Sequence, residues 1–291
     1  MDYLKLGASL YVPAINNDLL NIINGEKYPN LKSVILDTED SINEKDLDKA
    51  YINIKNVLNN FEKKKNILVF IRVRNFTELH KIYEFENISK IDGFVLPKFT
   101  IDNMNEYFRD IKDNFLYMPI LETDVFKVSK LEKVCDFLLP FKNRILSIRI
   151  GATDILSLLS CRRSNNMTIY DIAVMNKIIS NIIINFKPYG FNITGVVFES
   201  FNENKKEILE KEVELDLLNG LFGKTIIHPN QIDIVQNMYK VTKSDFESAN
   251  LLLNESMPSV FNIEKCMNEK APHINWAKKI LSLAEIYGIR E

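Results

Sequence analysis

The sequence predicts an α/β protein, a (β/α)8 TIM barrel with a C-terminal helical extension, and three observations carry that expectation. Eight short apolar, β-branched runs recur through the first 228 residues: 8–12, 33–37, 68–73, 93–97, 117–122, 145–151, 193–198 and 224–228. They are nearly continuous in apolar character, as strands of a parallel sheet covered on both faces must be. Their starts lie 24 to 48 residues apart, room for a strand, a crossover helix and two loops. An open doubly wound sheet would have fewer strands and a G-x-G-x-x-G turn, which is absent.

The segments between the runs read as helices. Ser41 and Glu44 have capping-box spacing, and Leu47, Tyr51, Ile54, Leu58 and Phe61 form an apolar stripe after them. Further helices are expected over 103–115, 128–139, 172–186 and 207–221. Gly93, Gly151 and Gly223 stand at run ends, where tight turns or close backbone approaches are expected. We assign 1–240 to the barrel and 241–291 to the extension. In the extension Ser244 and Glu247 open a helix, Met257-Pro258-Ser259 breaks it, and a last helix over 274–287 ends at Gly288. So short a tail cannot build a confident core alone. It is expected to pack on the barrel or on a neighbouring subunit, which makes a homo-oligomer the expectation.

Composition excludes some partners. The net charge is −2 over 291 residues, so no global field draws nucleic acid or an anionic membrane. Met1-Asp2-Tyr3-Leu4-Lys5 does not open a signal peptide, and no apolar run approaches the ~20 residues that span a bilayer. Cys135, Cys161 and Cys266 lie far apart without C-x-x-C spacing, which suits reduced thiols in a cytoplasmic setting.

In a TIM barrel the site lies where strands end. Here the runs end in Asp37-Thr38-Glu39-Asp40, in Arg72 and Arg74, in Pro97-Lys98, in Glu122, in Arg149 with Asp154, and in His228-Pro229. Glu122 and Asp154 follow neighbouring runs, and adjacent strands lie roughly 4.8 Å apart, so their carboxylates can share one ion. Two carboxylates plus water suit Mg²⁺, and the lack of Cys or His beside them argues against zinc. Each carboxylate also reads as a cap of the following helix. Arg72 reads as a carboxylate clamp or as an ion pair with Asp37, Glu39 and Asp40. Arg162 with Arg163 reads as a second anion site or as a solvated pair. Lys98 reads as a Schiff-base lysine or an ion-paired one. His228 is the one histidine placed for a site, since His80 and His273 read as surface residues. Arg149 faces either the site or an ion pair within the barrel.

S-V-I-L-D-T-E-D, I-R-V-R, G-F-V-L-P-K, P-I-L-E-T, I-R-I-G-A-T-D and G-K-T-I-I-H-P-N-Q-I occur here in the order found in the citrate lyase β-subunit-like (HpcH/HpaI aldolase) superfamily. The sequence resembles in particular its branch of TIM-barrel C–C bond lyase-like proteins associated with tellurite-resistance and stress gene clusters. Y-L-K-L-G-A-S-L-Y-V-P-A, C-R-R-S, F-K-P-Y-G-F-N-I-T and L-F-G-K-T-I-I-H-P carry that finer likeness.

The resemblance implies a Mg²⁺-dependent barrel that makes or cleaves a bond beside a carbonyl through an enolate. It implies metal ligation by Glu122 and Asp154, carboxylate binding by Arg72, supporting acids at Glu39 and Asp40, and trimers or hexamers. Gly7-Ala8-Ser9 stands where acyl-CoA members carry an R-S pair, so a CoA thioester does not carry over. Glu264 alone offers an acid in the lid region, and the histidine base of related aldolases has no counterpart.

Two readings follow. One is a Mg²⁺-dependent lyase or aldolase acting on a small carboxylated substrate. It uses Glu122 and Asp154 for the metal and Arg72, Glu39 and Asp40 for chemistry. Asp37, Lys98, Arg149, Arg162 and His228 join Arg72 around the substrate. The other is a non-catalytic barrel serving as a binding or scaffold component.

Overall fold

Seven of the eight runs become strands, and the remaining one becomes a looser stave. The computed structural model describes residues 2–62, 67–263 and 266–290, so Glu264 lies outside the described residues. The chain divides into two units, Met1–Val235 and Gln236–Glu291.

The first unit holds strands β1 (Ala8–Pro13), β2 (Ser33–Asp37), β3 (Leu68–Arg72), β4 (Gly93–Leu96), β5 (Leu116–Leu121), β6 (Arg149–Ile150) and β7 (Lys224–Ile226). Its helices are α1 (Leu19–Ile23), α2 (Leu47–Asn60), α3 (Phe76–Tyr83), α4 (Met104–Phe108), α5 (Val128–Leu138), α6 (Ala152–Leu158), α7 (Ala173–Phe186) and α8 (Lys206–Leu218), and the division between units falls within α9 (Gln231–Met238). The strands run parallel in the order β6-β5-β4-β3-β2-β1-β7. Single parallel bridges, Ile148 to Ile193 and Gly195 to Lys224, join the two edges through residues 193–195. The fold is the expected TIM barrel.

Several sequence expectations need correction. Run 193–198 is not a regular strand, because side chains take the carbonyls that a ladder would use. Arg163 Nη2 donates to Val197 O (2.7 Å) and Gln231 Nε2 to Phe198 O (2.9 Å). Run 145–151 contributes regular strand only at Arg149–Ile150, preceded by a bridge from Ile145 to Tyr117. The helix expected over 103–115 stops at Phe108, and the Tyr117 hydroxyl then accepts from the Lys112 amide (3.0 Å). Ser41 caps nothing, since its amide donates to Asp37 Oδ2 (3.2 Å) and α2 begins only at Leu47.

Alternation along the strands fills the barrel and then arms its mouth. Ile35, Leu68, Phe70, Val95, Met118, Ile120 and Leu146 pack in one buried cluster. Two residues further along three of those strands, on the same face by the period of two, come Asp37, Arg72 and Glu122. The register places Asp37 directly opposite Arg72 and Ile120 opposite Arg149.

The second unit contains β8 (Val241–Thr242), α10 (Lys243–Leu253), β9 (Val260–Ile263), β10 (Cys266–Glu269), α11 (Lys270–Tyr287) and β11 (Ile289–Arg290). Ala249, Leu252 and Ala277 are its buried core, with Leu253, Phe261, Ile280 and Leu281 packed against them. The cap of α10 is Thr242, whose Oγ1 accepts from the Asp245 amide (3.1 Å), and not Ser244 with Glu247. The last helix starts at Lys270, earlier than its apolar stripe suggests, and ends at Gly288 with φ 86° as expected. Among the described residues no helix is long and apolar enough to cross a membrane.

Candidate active site

A cavity of about 610 Å³ opens at the C-terminal ends of the strands. It is lined among others by Tyr11, Asp37, Asp40, Arg72, Glu122, Arg149, Gly151, Asp154 and Thr225. The strand-end rule therefore brings seven of the singled-out positions, Asp37, Asp40, Arg72, Glu122, Arg149, Gly151 and Asp154, to one space.

At one side lies a compact ion cluster. Arg72 grips Asp37 with two donors, Nε to Oδ1 (2.6 Å) and Nη2 to Oδ2 (2.8 Å). Its remaining Nη1 stands 2.8 Å from Glu39 and 2.9 Å from Asp40. Burial pushes the Asp37 carboxyl upward, but hydrogen bonding and charge from Arg72 hold it below its usual value. Glu39 goes the other way, raised by burial despite Arg72 and Lys98. Lys98 pairs with Glu39, and although burial works downward, the acid beside it raises the amine. A Schiff-base lysine needs a depressed amine, so Lys98 is the ion-paired residue of the two readings. Arg72 likewise adopts the ion-pair arrangement, with every guanidinium nitrogen facing an acid.

Opposite stand Glu122, just past β5, and Asp154, in the first turn of α6. Neither caps a helix: α6 takes Gly151 as its cap residue with no side-chain bond, and the helix after Glu122 begins at Val128 behind Lys127. Glu122 is 3% exposed and accepts from the Lys98 amide. Lys98 holds that amide in place from a left-handed backbone, φ 48°, an uncommon conformation for a side-chain-bearing residue. Burial first, and then the Asp154 charge, push the Glu122 carboxyl up to about 8.

These residues fit a divalent cation. Burial and the Asp154 charge make Glu122 costly to ionise in the cavity that both carboxylates line, and no ion pair to either is present among the described residues. Gly151 provides the room: a Cβ there would stand 2.6 Å from Glu122 Cβ and overlap its carboxylate. A donor set of carboxylate oxygens beside open space is one that Mg²⁺, which keeps several waters, could use.

Arg149 is 1% exposed within the barrel. Its Nη2 donates to Thr225 Oγ1 (2.6 Å), and its guanidinium lies 5.5 Å from the Tyr11 ring, which also carries Arg72 at 5.1 Å. Burial raises the Tyr11 phenol against the pull of both arginines, so it stays neutral.

Glu39 and Lys98 join the ion cluster without lining the cavity, and two further expected site residues are brought to neither. Arg162 is exposed and does not line the cavity, while its neighbour Arg163 is buried against Glu212 (2.5 Å) and Glu199. The pair is therefore no second anion site, because Arg163 is already neutralised. His228 also stays outside the lining, stacked on Phe201 at 4.6 Å with Nδ1 accepting from the Asn230 amide. Tyr11 and Thr225 were not legible as site residues. The signal was available in the strand register, since Tyr11 stands opposite Ile35 and Thr225 opposite Ser9.

A parallel barrel with acids and arginines gathered at its C-terminal mouth defines a TIM barrel with a charged cavity where the strands end. The family then follows from the sequence itself: residues 1–289 match the profile of the C–C bond lyases of the TIM-barrel fold, and the chain belongs to that family. Among curated proteins, citrate lyase subunit β of Escherichia coli K12 is 27% identical over 154 residues, 51% of this chain and 48% of that protein. The chain thus spans about half the length of the curated relatives it matches. A citrate lyase from Burkholderia xenovorans LB400 superimposes with a TM-score of 0.73 at 15% identity, covering 98% of this chain and 93% of that one. CitE from Mycobacterium tuberculosis, solved with magnesium, acetoacetate and coenzyme A, gives 0.68 at 18% identity, covering 96% and 98%. At these identities the structural likeness speaks for the fold alone.

Proposed function

We propose that the chain is a Mg²⁺-dependent carbon–carbon bond lyase or aldolase acting on a small carboxylated substrate through an enolate. The observation that carries this reading is the Glu122–Asp154 pair. Two carboxylates share a barrel-mouth cavity, and one of them, buried and charge-crowded, is pushed up to about 8. Family membership supports it, as does the presence of magnesium with oxaloacetate in a Mycobacterium tuberculosis citrate lyase β subunit.

In this reading Glu122 and Asp154 hold the cation. When bound, it supplies positive charge beside the substrate carbonyl, where negative charge develops as the bond breaks. Lys98 orients Glu122 through its amide. Arg72 keeps Asp37, Glu39 and Asp40 together at the rim, with half-exposed Asp40 the member best able to exchange a proton with substrate or water. The apolar walls from Ile120, Ile150 and Val197 limit water around the reacting carbon. A homo-oligomer in the cytoplasm remains part of the proposal. A scaffold protein would have no use for a crowded pair of buried-site carboxylates, which disfavours the non-catalytic reading.

The test has two stages. Mg²⁺ titrated into the wild type by calorimetry should bind, and Glu122→Gln should weaken it beyond the ~10–100-fold that an outer-shell change brings. The Mg²⁺-loaded protein is then incubated with a panel of 2-oxo and 3-hydroxy acids. Unchanged Mg²⁺ affinity in the variant removes the metal assignment, and an inert protein across the panel removes the lyase reading.

A further inference from the structure

Among the described residues, Arg72, Arg149, Arg163 and Lys224 are cationic side chains of the barrel with little or no exposure, and three of these four are neutralised. Arg72 faces Asp37, Glu39 and Asp40; Arg163 pairs with Glu212 and Glu199; Lys224 pairs with Glu212 (2.8 Å) and Asp216 (2.7 Å). Arg149 is different. It is 1% exposed, yet among the described residues it makes no ion pair. Its contacts are a hydroxyl (Thr225, 2.6 Å), a thioether (Met118 Sδ, 3.6 Å) and the Tyr11 ring face, and its Nε–H is buried with no acceptor. A guanidinium is almost never fully buried unless it is paired, because an uncompensated charge in a low-dielectric interior is costly. Arg149 also lines the cavity beside Glu122 and Asp154.

We propose that Arg149 is the anion-binding residue of this cavity. Its ligand is the carboxylate of a small substrate, seated against Arg149, Thr225 and Tyr11, with the rest of the molecule reaching toward Glu122 and Asp154. This moves the clamp role from Arg72, whose donors are already spent on acids, to Arg149. One guanidinium balances one negative charge, and a planar carboxylate matches its fork. A phosphate dianion would bring a second charge that one guanidinium does not balance. The inference deepens the function proposed above and rests on it only for the metal.

Acetate, malonate, oxalate and inorganic phosphate are titrated into the full-length chain by calorimetry and thermal unfolding, with and without Mg²⁺. Wild type, Arg149→Gln, Arg149→Lys and Thr225→Val are compared. Wild type should bind a carboxylate in preference to phosphate and unfold at higher temperature with it. Arg149→Gln should bind that carboxylate at least about 30-fold more weakly. It should keep wild-type Mg²⁺ affinity and, without anions, unfold no earlier than wild type. Arg149→Lys should fall between them, and Thr225→Val should lose about fivefold.

Wild type that binds no carboxylate in either condition, or binds phosphate best, overturns the proposal. So does Arg149→Gln with unchanged carboxylate affinity, or with lost stability as its only defect, the outcome for a mere strut. If Arg149→Gln does not fold, unchanged affinity in Thr225→Val overturns it equally. Carboxylate binding through Arg149 in a protein that takes no Mg²⁺ and cleaves nothing would remove the lyase reading and leave this one standing. Cleavage with unchanged KM in Arg149→Gln would do the reverse.

Discussion

A methyl group on Gly151 would stand 2.6 Å from Glu122 Cβ, so the backbone of one strand end and the side chain of the next are built against each other. Gly151→Ala must therefore push Glu122 out of line. It should cost about 1–3 kcal/mol of stability as an overpacked site, and Mg²⁺ affinity should drop at least about tenfold as the ligand is displaced. Denaturant melts and calorimetry read the two separately, and an alanine variant with wild-type Mg²⁺ binding would show that Glu122 is no ligand. The same carboxyl sets a pH dependence. Its folded value is about 8 against an ordinary 4.5. Between those values the folded chain holds a proton that the unfolded chain has released. Stability of the metal-free protein thus falls as pH rises through that window and levels off above it. Mg²⁺ must displace that proton, so its apparent affinity should climb up to tenfold per pH unit below about 8 and flatten beyond. Calorimetry at pH 6, 7 and 9 tests this, and a flat profile would contradict the Glu122 assignment.

Element against element, charge networks do what the hydrogen-bond ladder does not. Between β6 and β7 the barrel closes by single bridges, and a buried cluster of Arg163, Glu212, Lys224, Asp216 and Tyr170 reinforces that gap. Glu212 alone accepts from Arg163, Lys224 and the Ile169 amide, tying the excursion after α6 to α8 and β7. Gly195 has no side chain because a Cβ there would stand 2.6 Å from Asp216 Cγ. Lys224→Met should leave buried Asp216 without its cation and Glu212 with Arg163 alone, and cost about 3–5 kcal/mol. Adding Asp216→Asn to it should restore part of that loss. Denaturant unfolding of the single and double variants decides, and a single-variant loss under about 1 kcal/mol would mean the cluster does not stabilise the closure. The ends of β2 and β3 work similarly: Asp37 and Arg72 are register partners, so their pairing follows from strand alignment as much as from charge.

For the whole molecule, exposed apolar surface in the second unit points to assembly. Val260 (54% exposed) and Met267 (64%) share one face of the β9–β10 hairpin by its register, and Trp276 on α11 is 38% exposed. A two-stranded hairpin is marginal without cover, and apolar patches of this kind mark contact surfaces. The chain should sediment as a homo-oligomer, and Val260→Glu with Met267→Glu should shift it toward monomer without unfolding it. Sedimentation velocity that finds a monomer in the wild type would remove the expectation. Near-zero net charge leaves such association unopposed by repulsion.

The barrel, its mouth and the pairing of Glu122 with Asp154 were legible because each depends on local pattern: continuous apolar runs with helical intervals, and acids and arginines where the runs end. Glu122 and Asp154 stood out since neighbouring strands necessarily bring their ends together. What the sequence could not contain was partnership. Arg72, Arg149 and Arg163 look alike as arginines at or after strand ends. Only the fold decides that Arg72 meets three acids, that Arg163 meets Glu212 across 49 positions, and that Arg149 pairs with none among the described residues. Capping failed for the same reason. Ser41 and Glu44 have the right spacing, but Asp37, fixed by Arg72, takes the Ser41 amide first. Hydrophobic periodicity is a property of the chain and can be read along it. Charge compensation is a property of space, settled by which side chains the closed barrel places within reach.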